Sequence, residues 1–129
     1  MSIKPEDLLA LAGAQARHPG EPWRRSAISR AYYASFHRCL AWERNLAHRG
    51  KVAEPEGGAH QRLIDRLGAP NGVCTQSQRV QSVDLQRLLS RQKDKRVIAD
   101  YRLRRSVSEV DLKFQLRDAR LLFKTCAGR

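Results

Sequence analysis

From Trp23 to Leu46 the chain runs 24 residues without a glycine or a proline, and this stretch limits the fold more than any other feature. Ile28, Tyr32, Phe36, Cys39 and Leu40 recur along it at helical spacing, and Ala31 and Trp42 extend their arc. A long amphipathic helix must lay that arc on other elements, so the rest of the chain has to supply partners. Pro22 opens the helix. Before it, His18-Pro19-Gly20 closes a first helix with Ser2 as candidate N-cap, Pro5, Glu6 and Asp7 in the first turn, and Leu8, Leu9, Leu11 and Ala12 behind them.

Further along, Gly50, Pro55, Gly57 and Gly58 mark a connection from His48 to Gly58, and Leu63, Ile64 and Leu67 predict a short helix from about Ala59 to Leu67. Gly68 to Cys74 is a second loop. Val80, Val83, Leu85, Leu88 and Leu89 predict a fourth helix, whose end blurs at Arg91 to Arg96, read here as a mobile basic loop. A last helix spans about Ser108 to Thr125, with capping-box spacing in both Ser106/Glu109 and Ser108/Asp111. It carries two apolar stripes, Val107, Val110, Phe114 and Leu121 against Leu112, Leu116, Ala119 and Phe123. It is therefore either the central member of a bundle or pressed against a second copy of the chain. No strand pattern of similar length competes. The expected fold is all-α, an antiparallel bundle of four or five helices forming one domain over residues 1–129.

Charge narrows the function classes. Lys and Arg number 25 against 13 Asp and Glu, a formal net charge of +12, and nineteen of those cations are Arg. Such a surface attracts polyanions by counterion release, and planar guanidinium suits bidentate phosphate contacts. A polyanionic partner is the expectation from charge, beside the plainer reading that basic proteins from GC-rich genomes also gain Arg. There is no apolar run of roughly 18 residues and no basic-then-apolar leader, so neither membrane spanning nor secretion is expected. Cys39, Cys74 and Cys126 are odd in number and far apart, which suits a reducing cytoplasm better than a disulfide framework.

The polar side of the long helix holds the chemistry. Arg30, His37 and Arg44 lie seven apart and so line up within about 20° per step, with Tyr33, Ala34 and Ala41 beside them. An ordinary solvated face is one reading. The other is metal-independent RNA cleavage, in which His37 serves as acid or base and Arg30 stabilises the charged phosphorus.

The run Ser29-Arg30-Ala31-Tyr32-Tyr33-Ala34-Ser35-Phe36-His37 resembles the S-R-A-Y-Y-A-x-F-H signature of a bacterial subgroup of the HEPN superfamily. Ala59-His60-Gln61-Arg62 is similar to that subgroup's histidine after the glycine-containing loop, and Arg96-Val97-Ile98-Ala99-Asp100-Tyr101 to its R-x-x-A-D-Y element. The resemblance implies a dimerising helical bundle and, in many members, an Arg-x(4–6)-His ribonuclease motif, which Arg30 and His37 satisfy. It also implies, by analogy, a toxin–antitoxin or defence setting and a nucleotidyltransferase-type partner protein. Active members often carry Asn, Asp or His directly after the Arg, where this chain has Ala31, and Arg96 is followed at the equivalent distance by Tyr101. A non-catalytic nucleotide-binding, RNA-binding or adaptor module therefore stays open beside the enzyme.

Other candidates are auxiliary. Arg96 and Asp100 have the spacing of an intrahelical ion pair, Tyr101 follows, and His60 either packs at a helix start or projects toward the Arg30/His37 stripe. Lys93, Lys95, Arg96, Arg102, Arg104 and Arg105 form the densest basic patch, expected to contact nucleic acid through its backbone. Neither phosphate-loop glycine motifs nor zinc-ligand spacing occurs. No cofactor or metal is expected.

Overall fold

A computed structural model describes residues 2–128. Five helices follow in order, α1 (Pro5–Gln15), α2 (Glu21–Arg44), α3 (Ala59–Leu67), α4 (Gln76–Tyr101) and α5 (Glu109–Cys126), with no strand among the described residues. The chain is an all-α bundle, and α2 is its hub, packing against α1, α4 and α5 while α3 lies on α4.

The ends of the helices are set by local chemistry. At α1 the N-cap is Lys4 rather than Ser2, and its backbone N–H donates to Asp7 Oδ2 at 2.8 Å. Gly20 opens α2 with φ 104°, a backbone conformation that suits a residue without Cβ. Thr75/Gln78 and Ser108/Asp111 form reciprocal capping boxes at α4 and α5. The second of these selects Ser108 over Ser106.

Residues 91–96, expected to form a mobile loop, instead continue α4 for about three more turns to Tyr101. Two tertiary contacts hold that end. Gln92 is fully buried between helices, and the carbonyls of Ile98 and Ala99 accept from Arg25 Nη1 at 3.1 and 3.0 Å. A guanidinium placed over terminal helix carbonyls satisfies groups that have no partner in the helix itself and offsets its dipole. Arg25 also donates to the carbonyl of Arg105, and Arg24 and Glu21 bracket Val107 through its O and N at 3.0 and 3.1 Å. The start of α2 thereby clamps the turn between α4 and α5.

The core has two apolar halves. One gathers Tyr32, Phe36, Cys39, Trp42, Leu63, Leu67, Leu85, Leu89 and Leu122; the other gathers Ala12, Ala27, Ile28, Ala31, Ala99, Val107, Leu112, Leu116 and Ala119. A buried polar layer crosses the interior. Ser35 Oγ donates to Gln92 Oε1 at 2.7 Å, and Gln115 Nε2 donates to the carbonyls of Gln92 and Ile28 at 3.0 and 3.1 Å. Because these groups bond only in one alignment of α2, α4 and α5, they fix the register that interchangeable apolar contacts would leave loose.

Candidate functional site

The expected arc of α2 is buried apart from the half-buried Leu40, and the far side is only partly open, since α1 packs on α2 and Ala34, expected beside the polar stripe, is fully buried. Arg30 is half-buried, while His37 and Arg44 are exposed. His37 and Arg44 line a groove of about 310 Å³ whose other wall is the start of α1, with Ile3, Lys4, Pro5 and Leu8. Arg30 Nε is buried and has no hydrogen-bond partner among the described residues. Its donor capacity is unspent.

Next to this stripe, α2, α3 and α4 meet in an aromatic and cationic cluster. Tyr32 Oη and His60 Nδ1 are 2.8 Å apart, and the His60 ring lies on Phe36 with centroids 4.2 Å apart. Arg96 Nη2 donates to Tyr33 Oη at 2.6 Å and to Tyr101 Oη at 3.3 Å. The guanidinium carbon lies 5.2 Å from the Tyr33 and Tyr101 ring centroids and 5.8 Å from that of Tyr32. Arg96 Nε is 3.0 Å from Asp100 Oδ2, an ionic contact that lacks the alignment of a hydrogen bond. That same Oδ2 accepts from Ser29 Oγ at 2.9 Å, which joins the start of the motif on α2 to the end of α4.

Electrostatics follows from this packing. Burial, then the positive charges of Arg96, Lys93 and His37, push the His60 pKa below its ordinary value, so the ring is held toward the neutral form. Burial opposes the charge on Arg96, yet Tyr33, Tyr101 and Asp100 outweigh it and hold the pKa above the usual guanidinium range. Burial also pushes the Tyr32 hydroxyl up. Tyr32 therefore stays a neutral phenol against His60.

His60 is half-buried at the rim of the core, packed on Phe36, and joins the stripe's neighbourhood, because Tyr33 lies one turn from both Arg30 and His37 on α2. The basic patch, by contrast, is divided. Lys93 is on the His60 side, where Nζ donates to Gln61 Oε1 at 2.7 Å, and Arg96 is inside the cluster. Lys95 and Arg105 instead line a small cleft toward α5 with Ile28, Ile98, Val107 and Asp111. Arg102 and Arg104 are exposed on the turn after α4. Continuing α4 as a helix causes the split, since residues 93 and 95 then point about 200° apart.

Sequence reasoning did not single out Ser29 or Tyr32 as site residues, although both fall in the nine-residue motif. Nor did it anticipate a cleft of about 520 Å³ between residues 49–55 and α3. Its guanidinium groups are largely engaged. Arg66 makes a two-pronged bond to buried Glu43 at 2.8 and 2.8 Å, and Arg62 Nε donates to the Gly57 carbonyl. The α2 stripe, with its unpaired Arg30 and open His37, is the better candidate for chemistry. No helix of the described residues is long and apolar enough to cross a membrane, and none of their His, Cys, Asp and Glu side chains form a group of three suited to a metal ion. Comparison with protein-family models, with curated proteins and with solved structures gives no match.

Proposed function

We propose that this chain is a HEPN-type protein that acts on RNA, a metal-independent endoribonuclease working on single strands laid along α2. The observation that carries this reading is the α2 stripe, where an exposed imidazole at His37 and an unspent guanidinium at Arg30 flank Tyr33. In this reading a basic imidazole takes the 2′-hydroxyl proton and the freed oxygen attacks the adjacent phosphorus. The 5′-oxygen leaves with a proton from an acid, giving a 2′,3′-cyclic phosphate and a 5′-hydroxyl. His37 is the acid or base, and Arg30 neutralises the charge that builds on phosphorus. Arg44, Lys93 and Arg96 hold the strand, with Arg102, Arg104 and Arg105 as more distant backbone contacts.

A homodimer completes the proposal by bringing a second stripe to the same strand, in a reducing cytoplasm where three buried thiols stay free. A toxin–antitoxin or defence role with a nucleotidyltransferase-type partner protein fits the motif by analogy. The second reading, a non-catalytic nucleotide-binding, RNA-binding or adaptor module, is favoured by one observation. Arg96 Nη2 and His60 Nδ1 are already engaged with Tyr33, Tyr101 and Tyr32, and the Arg96 charge is paired with Asp100.

End-labelled single-stranded RNA incubated in EDTA separates the two. Cleavage that ends in cyclic phosphate and is lost in Arg30→Ala and His37→Ala, with unchanged circular dichroism, supports the enzyme. Retention that weakens with salt and is not followed by cleavage supports the module. Sedimentation velocity tests the dimer.

A further inference from the structure

On α5, Leu112, Leu116, Ala119 and Leu122 face the core. The opposite side leaves Val110, Phe114 and Leu121 exposed at 57%, 49% and 45%. Val107, grouped with them on sequence spacing, precedes the helix and is buried at 2%. At about 100° per residue the three exposed side chains fall within an arc of about 40°. Alongside them run Lys113, Arg117, Arg120 and Lys124, all exposed, and Leu121 sits among the last three in a shallow depression of about 400 Å³. The carboxylates of α5 leave this face with an excess of positive charge. Asp118 is buried and bound by Arg91 at 2.9 and 3.1 Å, the Asp111 carboxylate accepts from Ser108 N and Oγ at the N-cap, and the exposed Glu109 lies in the first turn.

We propose that this face docks an amphipathic helix of a partner protein, one with apolar residues at i, i+4 and i+7 spacing and carboxylates along one flank. Charge complementarity selects that occupant. A second copy would set four cations against four more with only the exposed Glu109 of each chain, one turn before Lys113, to offset them, and like charges in such excess oppose association. RNA would satisfy the cations and leave three large apolar side chains unused, whereas a helix in a groove uses both. The face also lies away from the α2 stripe. Its helix packs on Ile28 and Ala31, roughly 150° around α2 from Arg30 and His37, so an RNA strand and a protein helix can be held together.

The test uses the full chain and a fluorescein-labelled synthetic 18-residue amphipathic helix with a leucine face flanked by glutamates, read by fluorescence anisotropy. Comparison peptides carry lysine for glutamate or a scrambled order. The acidic helix should bind at least tenfold more tightly than either. Phe114→Ser/Leu121→Ser should lose that tenfold, and Arg117→Glu/Lys124→Glu should transfer the preference to the lysine peptide, both with wild-type circular dichroism. Equal binding of acidic and scrambled peptides overturns the proposal. Self-association abolished by Phe114→Ser assigns the face to a second copy instead. Binding of polyuridylate RNA or phosphatidylglycerol vesicles that is lost in Phe114→Ser/Leu121→Ser likewise overturns it.

Discussion

Replacing Arg96 with alanine removes a side chain that, with Asp100, ties the end of α4 to the motif on α2. Its head is 12% exposed, so little solvent screening applies. A charged hydrogen bond such as that to Tyr33 contributes about 1.5–3 kcal/mol, ring faces about 0.5–1 kcal/mol each, and an i,i+4 pair with Asp100 about 0.3–0.5 kcal/mol. Desolvation of the cation offsets part of that total. A net loss of about 2–3 kcal/mol follows, which for a slope near 1.5–2 kcal/mol/M lowers the urea midpoint by about 1–2 M. Arg96→Lys keeps a charge and loses the planar Nη2 donor that serves both tyrosine hydroxyls, so it should lose about half as much. A second readout is independent of stability. Because the Arg96 charge helps hold His60 down, its removal should raise the His60 midpoint followed by NMR, and the lysine variant should raise it less. A loss under about 0.5 kcal/mol, or a stationary His60 midpoint, would refute the assigned geometry.

Three further outcomes are expected. Gln92→Leu strands the buried Ser35 hydroxyl, costing about 1–3 kcal/mol in denaturant unfolding, while the Gln92 backbone carbonyl still accepts from Gln115; adding Ser35→Ala should recover part of the loss, and strict additivity would contradict the Ser35–Gln92 pairing. Gly50→Ala builds a Cβ 2.0 Å from the Arg66 carbonyl and 2.5 Å from that of Ala69, so residues 49–55 must lift off α3. Faster proteolysis there checks it, and an unchanged cleavage rate would refute it. His60, with its folded pKa below the unfolded value, binds more protons when unfolded. Its contribution is therefore full above about pH 6.5 and falls as pH drops through that unfolded value toward the folded one. Urea midpoints from pH 7.5 to 5 should decline more in the wild type than in His60→Asn, and parallel curves would exclude it.

The candidate site was partly legible in advance. Periodicity alone put Arg30, His37 and Arg44 on one stripe, and Arg96 and Asp100 within reach of each other. Their neighbours were not legible. Tyr33 and Arg96 are 63 residues apart, Ser29 and Asp100 are 71 apart, and no spacing rule connects positions whose meeting depends on how two helices cross. The basic patch failed for a related reason, since treating residues 91–96 as a loop left free the directions that a continuous helix separates.

Helix type and burial were written locally, in glycine-free runs, capping residues and apolar spacing, because a helix closes its hydrogen bonds within a few residues. Where α4 ends, which stripe of α5 is covered and which histidine loses its proton were decided only by packing. Arg25 had to reach the last carbonyls of α4, α2 had to choose one side of α5, and His60 had to be desolvated among Phe36, Tyr32 and Arg96. Those energies arise between groups distant in the chain, so they exist only once the helices have met.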